Sequence, residues 1–417
     1  MEKILKIRRY VFIVFFVIFA ISGVLIGFYS NGWRFDLGAF RFEKTGAIFI
    51  ETTPKDVSIK VDSKNFKDKS GPLSSGTLIP NLLPGTYKIE IAKAGFFSWQ
   101  KNLSVKPTQV SEAINIILTP KEITKELIFD FKKISDFLIG LKGKTIFNAG
   151  GVLYLYNSKD APTKLKGNTL IEISNDESKA IVQNSATNAF YFYDLNPPFS
   201  ATTINTLVSK INAKFKIKSV VFYPFDSKRI IVETNGGLLS LDTDSLKTET
   251  IFDSGGKPFQ WELVGSKIYF FGEQESGFFN LVFKTKNNLP SSLFDILNLT
   301  NMFKVSPDGK KIGFVDFNNK LKVYFLEDQI KGFNQKAGDI ISLNLKNQSK
   351  IKDIHWYFDS FHFFVEYPNE LYFAEVDNRE PINNYLIDSE FSKLYYETPT
   401  NILYSLKNGF IYRWQIK

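Results

Sequence analysis

Seven times along the C-terminal part of the chain a turn is followed at once by an apolar strand. The copies read LKGKTIFNA, SNDESKAIV, YPFDSKRIIVE, VGSKIYFFGE, SPDGKKIGFVD, YFDSFHFFVE and TNILYSL. A second strand follows each one: GVLYLYN, AFYFYDL, GGLLSLDT, GFFNLVFK, NKLKVYFLE, NELYFAEVD and GFIYRWQIK. The unit is about 42 residues long, the length of one four-stranded propeller blade. Strands that recur without helices leave sandwiches, solenoids or propellers, and the regular spacing selects the propeller. About seven blades are therefore expected over residues 121–417. Six and eight stay open, because the pattern blurs at 287–301 and 328–346, where SSLFDILNL reads as a short helix in an insertion.

The last unit stops after GFIYRWQIK and lacks an outer strand, while KELIFDFKK, near 125–133, is a spare strand ahead of the first unit. An open sheet edge invites aggregation. Leu127, Phe129 and Phe131 are accordingly expected to complete the final blade and close the ring.

Residues 11–29, VFIVFFVIFAISGVLIGFY, carry no charge, and 14 of these 19 are Val, Ile, Leu or Phe. A helix of this length spans about 28 Å, close to the hydrocarbon thickness of a bilayer. Insertion of those residues contributes about −6 kcal/mol at most. Val11, Phe15, Phe19, Gly23 and Gly27 are taken as anchor positions, the two glycines forming a GxxxG pair. Lys3, Lys6, Arg8 and Arg9 precede the segment, which predicts a cytoplasmic N-terminus at 1–9, an anchor at 10–30 and an extracytoplasmic remainder. The apolar core is longer than that of a signal peptide and no A-x-A-like site follows it, which favours a retained anchor over a cleaved signal.

Residues 31–45 read as a linker, and from Gly46 the periodicity becomes two. Val57, Ile59 and Val61 alternate with Ser58, Lys60 and Asp62; Tyr87, Ile89 and Ile91 alternate with Lys88 and Glu90. Phe97, Trp99, Leu103 and Val105 share a parity, and VSEAINIIL closes the set. Alternation of this kind marks antiparallel strands with one buried face, here a small sandwich over 46–120. GAIFIETTPKDVSIKVD followed by LIPNLLPGTYKIEIAKAGFFSWQKNLSV resembles the PEGA domain, through Pro54, Pro84, Gly85, Tyr87, Gly95, Phe96 and Trp99. Leu-Pro-Gly-Thr stands where that family has its tetrapeptide. The resemblance implies an exposed β-sandwich of envelope proteins without catalytic residues. A contact with cell-wall polysaccharide, suspected for some members, needs a site of its own to carry over. SPDGKK likewise resembles the turn of WD-like and periplasmic propellers.

The formal charge of +9 is concentrated only at the N-terminus, so no basic block points to nucleic acid. There is no cysteine, which excludes disulfides, thiolate catalysis and Cys-based zinc sites. No G-x-S-x-G nucleophile turn occurs. His355 and His362 are too few for a metal site and read as packing or surface residues. Asp242 and Asp244 read as turn caps, Glu273 and Glu275 as a solvated loop, and Trp261, Trp356 and Trp414 as packing between sheets, with sugar stacking as the rival role. The expectation is a non-enzymatic, single-pass binding or scaffold protein of the cell envelope, without cofactor, recognising a protein or cell-wall glycan. An enzyme of the propeller channel is the competing class, and shifted carboxylates converging there would be its mark.

Overall fold

The computed structural model describes residues 2–38, 40–71, 74–130, 134–157, 161–197, 199–273, 275–298 and 300–416. An apolar helix, Glu2–Ser30, is followed by a two-stranded hairpin, Trp33–Asp36 with Arg41–Lys44. The segment Ile7–Ser30 is long and apolar enough to cross a membrane, and none of it is buried.

Strands from Gly46 onward form two facing sheets. One orders Thr77–Leu82, Gly46–Thr53 and Val110–Ile117; the other orders Lys64–Lys67, Ser58–Val61, Gly85–Ala92 and Trp99–Val105. Alternate residues of both sheets meet in one core of Ile48, Ile50, Ile59, Ile79, Ile89, Ile91, Trp99 and Leu103. This is the aligned two-layer solution for strands with one apolar face. Gly85 opens the third of these strands, Tyr87 donates its hydroxyl to Leu83 O at 2.9 Å, and Gly95 turns the chain with φ +83°.

The remainder is a ring of seven four-stranded sheets, the blade number that the repeat spacing predicts. Blades 1–6 cover 134–165, 169–203, 217–253, 259–289, 300–342 and 353–389. Blade 7 takes Lys393–Glu397, Ile402–Lys407 and Phe410–Trp414 from the C-terminal end and Glu126–Asp130 from before blade 1. Antiparallel pairing sets Glu126 against Arg413 and Leu127 against Tyr412. The parity differs from the sequence reading. A register shift between Leu127 and Phe129 turns Ile128 toward the core and leaves Leu127 50% exposed. Phe131 lies outside the described residues.

Among the described residues each neighbouring pair of blades shares one apolar cluster, seven in all. Ile146 with Val182 joins blades 1 and 2, Phe192 with Val220 blades 2 and 3, and Leu238 with Phe270 blades 3 and 4. Phe271 with Ile312 joins blades 4 and 5, Val323 with Phe363 blades 5 and 6, and Phe373 with Leu403 blades 6 and 7. Phe137 with Tyr404 joins blade 7 back to blade 1 and closes the circle. The second strand of a blade is covered on both faces; Lys311–Asp316 and His362–Glu366 are buried at every position. That is why these strands read as apolar runs rather than alternations.

The turns between first and second strands explain the repeat landmark. Glu177, Gly309, Ser360 and Asn401 occupy equivalent turn positions with φ between +54° and +72°. Only glycine adopts this conformation freely, and a side chain at Gly309 would also meet the Tyr269 hydroxyl. The turn acids link neighbouring blades: Ser227 of blade 3 donates to Asp176 of blade 2 at 2.6 Å, and the Asp308 N–H of blade 5 donates to Ser360 of blade 6 at 3.1 Å. Burial raises Asp176, but hydrogen bonds from Ser227, Ser178 and Ser174 outweigh it and hold the carboxyl below its ordinary value.

Two helices lie outside the blade plan. Ser292–Asn298 is the short helix read from SSLFDILNL. Ile204–Ile211, which buries Ile204, Leu207 and Val208 between blades 2 and 3, was not foreseen.

Candidate functional site in the propeller channel

The first strands of neighbouring blades lie side by side around the axis. They are the least regular strands of the ring. Register shifts interrupt them at Ile134/Asp136, Leu170/Glu172, Ile217/Ser219 and Thr300/Met302. Bulges re-aim side chains, and here the bulged positions include Asp136, Glu172 and Ser219. A cleft of about 680 Å³ opens along the strands of blades 2–6, a size typical of ligand sites. Its walls combine Trp261, Phe259 and Phe303 with Glu172, Glu233, Glu262 and Asp353; Lys304 is the one cation among the described lining residues.

The carboxyls differ in what holds them. Glu233 accepts from the Trp261 indole at 2.9 Å and from Ser219 at 2.7 Å, with Lys218 at 3.8 Å. Glu172 accepts the Phe222 N–H of the next blade at 2.6 Å, and Glu262 accepts the Val305 N–H of its next blade. Burial pushes each of these two up to about 7, opposed for Glu172 by that one N–H and for Glu262 by Lys304 and its N–H. Lys304 stands 3.9 Å from Glu262, beyond hydrogen-bond reach. Glu172 and Glu262 line the same cleft. Each also acts as a staple, satisfying a backbone donor across a blade boundary.

Of the residues singled out in the sequence, Trp261 alone reaches this cleft. Trp356 is buried against Phe363 and donates to Lys304 O at 2.8 Å, and Trp414 is buried with its indole on Ser405. His355 is in the first strand of blade 6, 3.7 Å from Asp353 and 4.0 Å from Glu366. His362 is stacked on Phe373 and bonded to Asp359 at 2.7 Å, so the two histidines do not converge. Asp242 accepts the N–H groups of Asp244 and Ser245 within its turn. Glu273 and Glu275 pair with Lys257 and Lys286 in solvent. Among the described residues no three His, Asp or Glu are grouped as metal ligands. The anchor positions Val11, Phe15 and Phe19 are exposed, and nothing lies within 4 Å of a side chain built at Gly23 or Gly27. Glu172 escaped the sequence reading because a register shift interrupts its strand, and Glu233 and Glu262 because strands of different blades are brought together only by the ring.

A second feature that the sequence did not show is the joint between sandwich and propeller. Lys101 lies on the buried parity of its strand, between Trp99 and Leu103, and its side chain is 0% exposed. Its ammonium pairs with Glu375 of blade 6 and donates to Asp377 O at 3.1 Å and Arg379 O at 2.7 Å. Glu375 also accepts from the Trp99 indole at 2.8 Å and from Asn383 N and Nδ2 at 2.7 and 2.8 Å. The edge of the sandwich is sealed in the same place. Asn383 exchanges hydrogen bonds with the Gln100 backbone, and Asn102 N–H donates to Glu380 O at 2.9 Å. Phe97 stacks on Tyr385 at 4.9 Å, and Gly332, in the blurred 328–346 stretch, donates to Glu112 at 2.8 Å. Pro54 follows the first sandwich strand through a cis peptide bond, and Phe96 and Pro120 line a second cleft beside Trp414.

No family model matches this chain, and no curated protein does; the PEGA resemblance rests on its motif residues alone. Among solved structures, the β-propeller domain of Cps50 (Swd1) from Myceliophteria thermophila is similar at a TM-score of 0.45 and 8% identity, covering 70% of this chain and 100% of that one. PorZ, an essential bacterial surface component of the type-IX secretion system of Porphyromonas gingivalis, is similar at 0.43 and 13%, covering 70% and 39%. Neither likeness bears on what this chain binds.

Proposed function

We propose that the chain is a membrane-anchored, extracytoplasmic binding or scaffold protein of the cell envelope, non-enzymatic, recognising a protein or cell-wall glycan through its propeller channel. The single observation that carries this reading is the cleft beside Trp261, where four carboxyls outnumber the lysines among the described residues, Lys304 in the lining and Lys218 beside Glu233. Such a wall suits a cationic or hydroxyl-rich ligand laid against an aromatic face. The PEGA-like motif residues and the basic N-terminus ahead of Ile7–Ser30 support the envelope location and the orientation. The sandwich then serves as a fixed pedestal. The test uses the full chain in lipid nanodiscs. Capture of cell-wall fragments or of an envelope protein should fall on Trp261→Ala, and surface proteases should digest the propeller on whole cells. Unchanged capture, or a protected propeller, would overturn the reading.

One observation favours the competing class, an enzyme acting on envelope polysaccharide or peptide. Glu172 and Glu262 sit near 7 in one cleft, a value suited to proton transfer. Against it, each is occupied by a backbone N–H. Turnover of a glycan or peptide that disappears in Glu172→Gln or Glu262→Gln would decide for the enzyme.

A further inference from the structure

The chain does not pass straight from the apolar helix into the sandwich. Ser30 and Asn31 cap the helix by donating to Gly27 O at 3.0 and 2.8 Å, Gly32 turns with φ +78°, and the hairpin Trp33–Asp36 and Arg41–Lys44 follows. Pairing of Trp33 with Lys44 and Phe35 with Phe42 puts Trp33, Phe35, Phe42 and Lys44 on one face. Arg34, Asp36, Arg41 and Glu43 take the other.

The aromatic face continues the helix. Phe28, in the last turns of the apolar span, meets Trp33 at 5.8 Å and Phe42 at 5.5 Å. Phe35 meets Phe42 at 5.1 Å and Phe40 at 6.2 Å. This cluster belongs to no core: Phe35 and Phe42 are each 43% exposed, Leu37 76% and Phe40 80%. A lone two-stranded hairpin is marginal in water, and an exposed aromatic ribbon there needs a cover. The polar face is tied down instead. The Arg34 guanidinium sits 3.3 Å over the Tyr29 ring and donates to Tyr29 O at 2.7 Å and to Asn81 of the sandwich at 2.8 Å.

We propose that this hairpin is an interfacial membrane element. Its aromatic face lies in the headgroup and upper acyl region of the bilayer that the helix crosses, and its polar face looks back to the sandwich. The occupant is lipid because the surface is continuous with the apolar span through Phe28, and because aromatic rings beside a cationic Lys44 match the chemistry of that layer. The proposal rests on reading Ile7–Ser30 as a membrane anchor. Its consequence is that the Arg34–Asn81 tie holds the sandwich, and the propeller locked to it, at a set angle to the membrane.

The chain has no cysteine, so single spin labels can be placed without background. The full-length protein in phosphatidylcholine–phosphatidylglycerol nanodiscs would be labelled in turn at Phe19→Cys, Leu37→Cys, Phe40→Cys and Lys64→Cys. Power saturation with oxygen and a water-soluble nickel chelate reads depth. The expected order is Phe19 deepest, Leu37 and Phe40 shallow but severalfold more accessible to oxygen than to nickel, and Lys64 the reverse. A Phe40 label as open to nickel as Lys64, with Phe19 still deep, would overturn the hairpin proposal and spare the anchor. A Phe19 label open to nickel would remove the anchor and the proposal with it. Labels at 37 and 40 shielded from both reagents, with spin–spin broadening between copies, would mean that a second copy covers the face and would overturn lipid as the occupant. Near-UV circular dichroism matching wild type checks that each variant is folded; positions 37 and 40 touch no core, so substitution there leaves the sandwich intact.

Discussion

The joint between sandwich and propeller and the channel serve their glutamates differently, although burial raises the carboxyls of both. At the joint, Glu375 receives four donors: Lys101 and two groups of Asn383 at Oε1 and the Trp99 indole at Oε2. In the channel, Glu172 and Glu262 each receive one backbone N–H and no cation in hydrogen-bond contact. A buried charge that is fully served is strongly destabilising to break, whereas one served by a single donor tends to neutralise instead. The joint is thus built to hold two domains still, and the channel keeps polar capacity facing an open cleft.

The largest test of this contrast is Lys101→Met, which strands Glu375. It should cost about 3–5 kcal/mol in urea unfolding, and Lys101→Met with Glu375→Gln, which removes the stranded charge and keeps an acceptor for Asn383, should recover part of the loss. A cost under about 1 kcal/mol would erase the distinction between joint and channel. Asn383→Ala removes the Nδ2 donor from Glu375 and both links to Gln100, for an expected loss of about 1–3 kcal/mol with the same readout.

Burial raises Glu375 as well, against the opposing Lys101 ammonium; in the channel no cation is in hydrogen-bond contact with Glu262. Glu262 is pushed from 4.5 to about 7 by burial, so the folded state favours its protonated form. The stability that this contributes is full below about pH 4.5 and is lost as pH rises through about 7. Glu262→Gln keeps an acceptor for Val305 N–H without the charge. Because the side chain keeps 19% of its surface open, water trims the effect. The variant should be about 1–2 kcal/mol more stable than wild type at pH 8 and equal to it at pH 4.5, read from urea melts at both values. Destabilisation at pH 8 would show that Glu262 is ionised and served as well as Glu375. The smallest effect is expected from Trp261→Phe, which loses only the indole bond to Glu233, at about 0.5–1.5 kcal/mol in the same melts.

Particular residues show where the sequence was legible. The second strands of the blades declared themselves, since burial on both faces leaves apolar runs such as those in KIGFVD and HFFVE. The turns did too, because the left-handed position at Gly309 or Asn401 restricts the residue types. Glu172 did not, since a bulge beside it destroys the two-residue period. Lys101 was a readable anomaly, a charge on the buried parity of TrpGlnLysAsnLeu, but a lone sequence gives such a lysine no partner.

The sequence by itself determined the periodic quantities: an uncharged span of membrane length, an alternating sandwich, a ring of about seven repeating units and a spare strand for its last blade. These follow from spacing along the chain, which hydrophobic burial converts directly into strands and helices. Only the tertiary structure decided that Lys101 meets Glu375 across 274 residues, that Glu172 and Glu262 share one cleft, and that Ile128 rather than Leu127 faces the core. Such contacts join residues far apart in the chain or depend on one-residue shifts of register. Their energies come from exclusion of water at a place that exists only once the ring has closed.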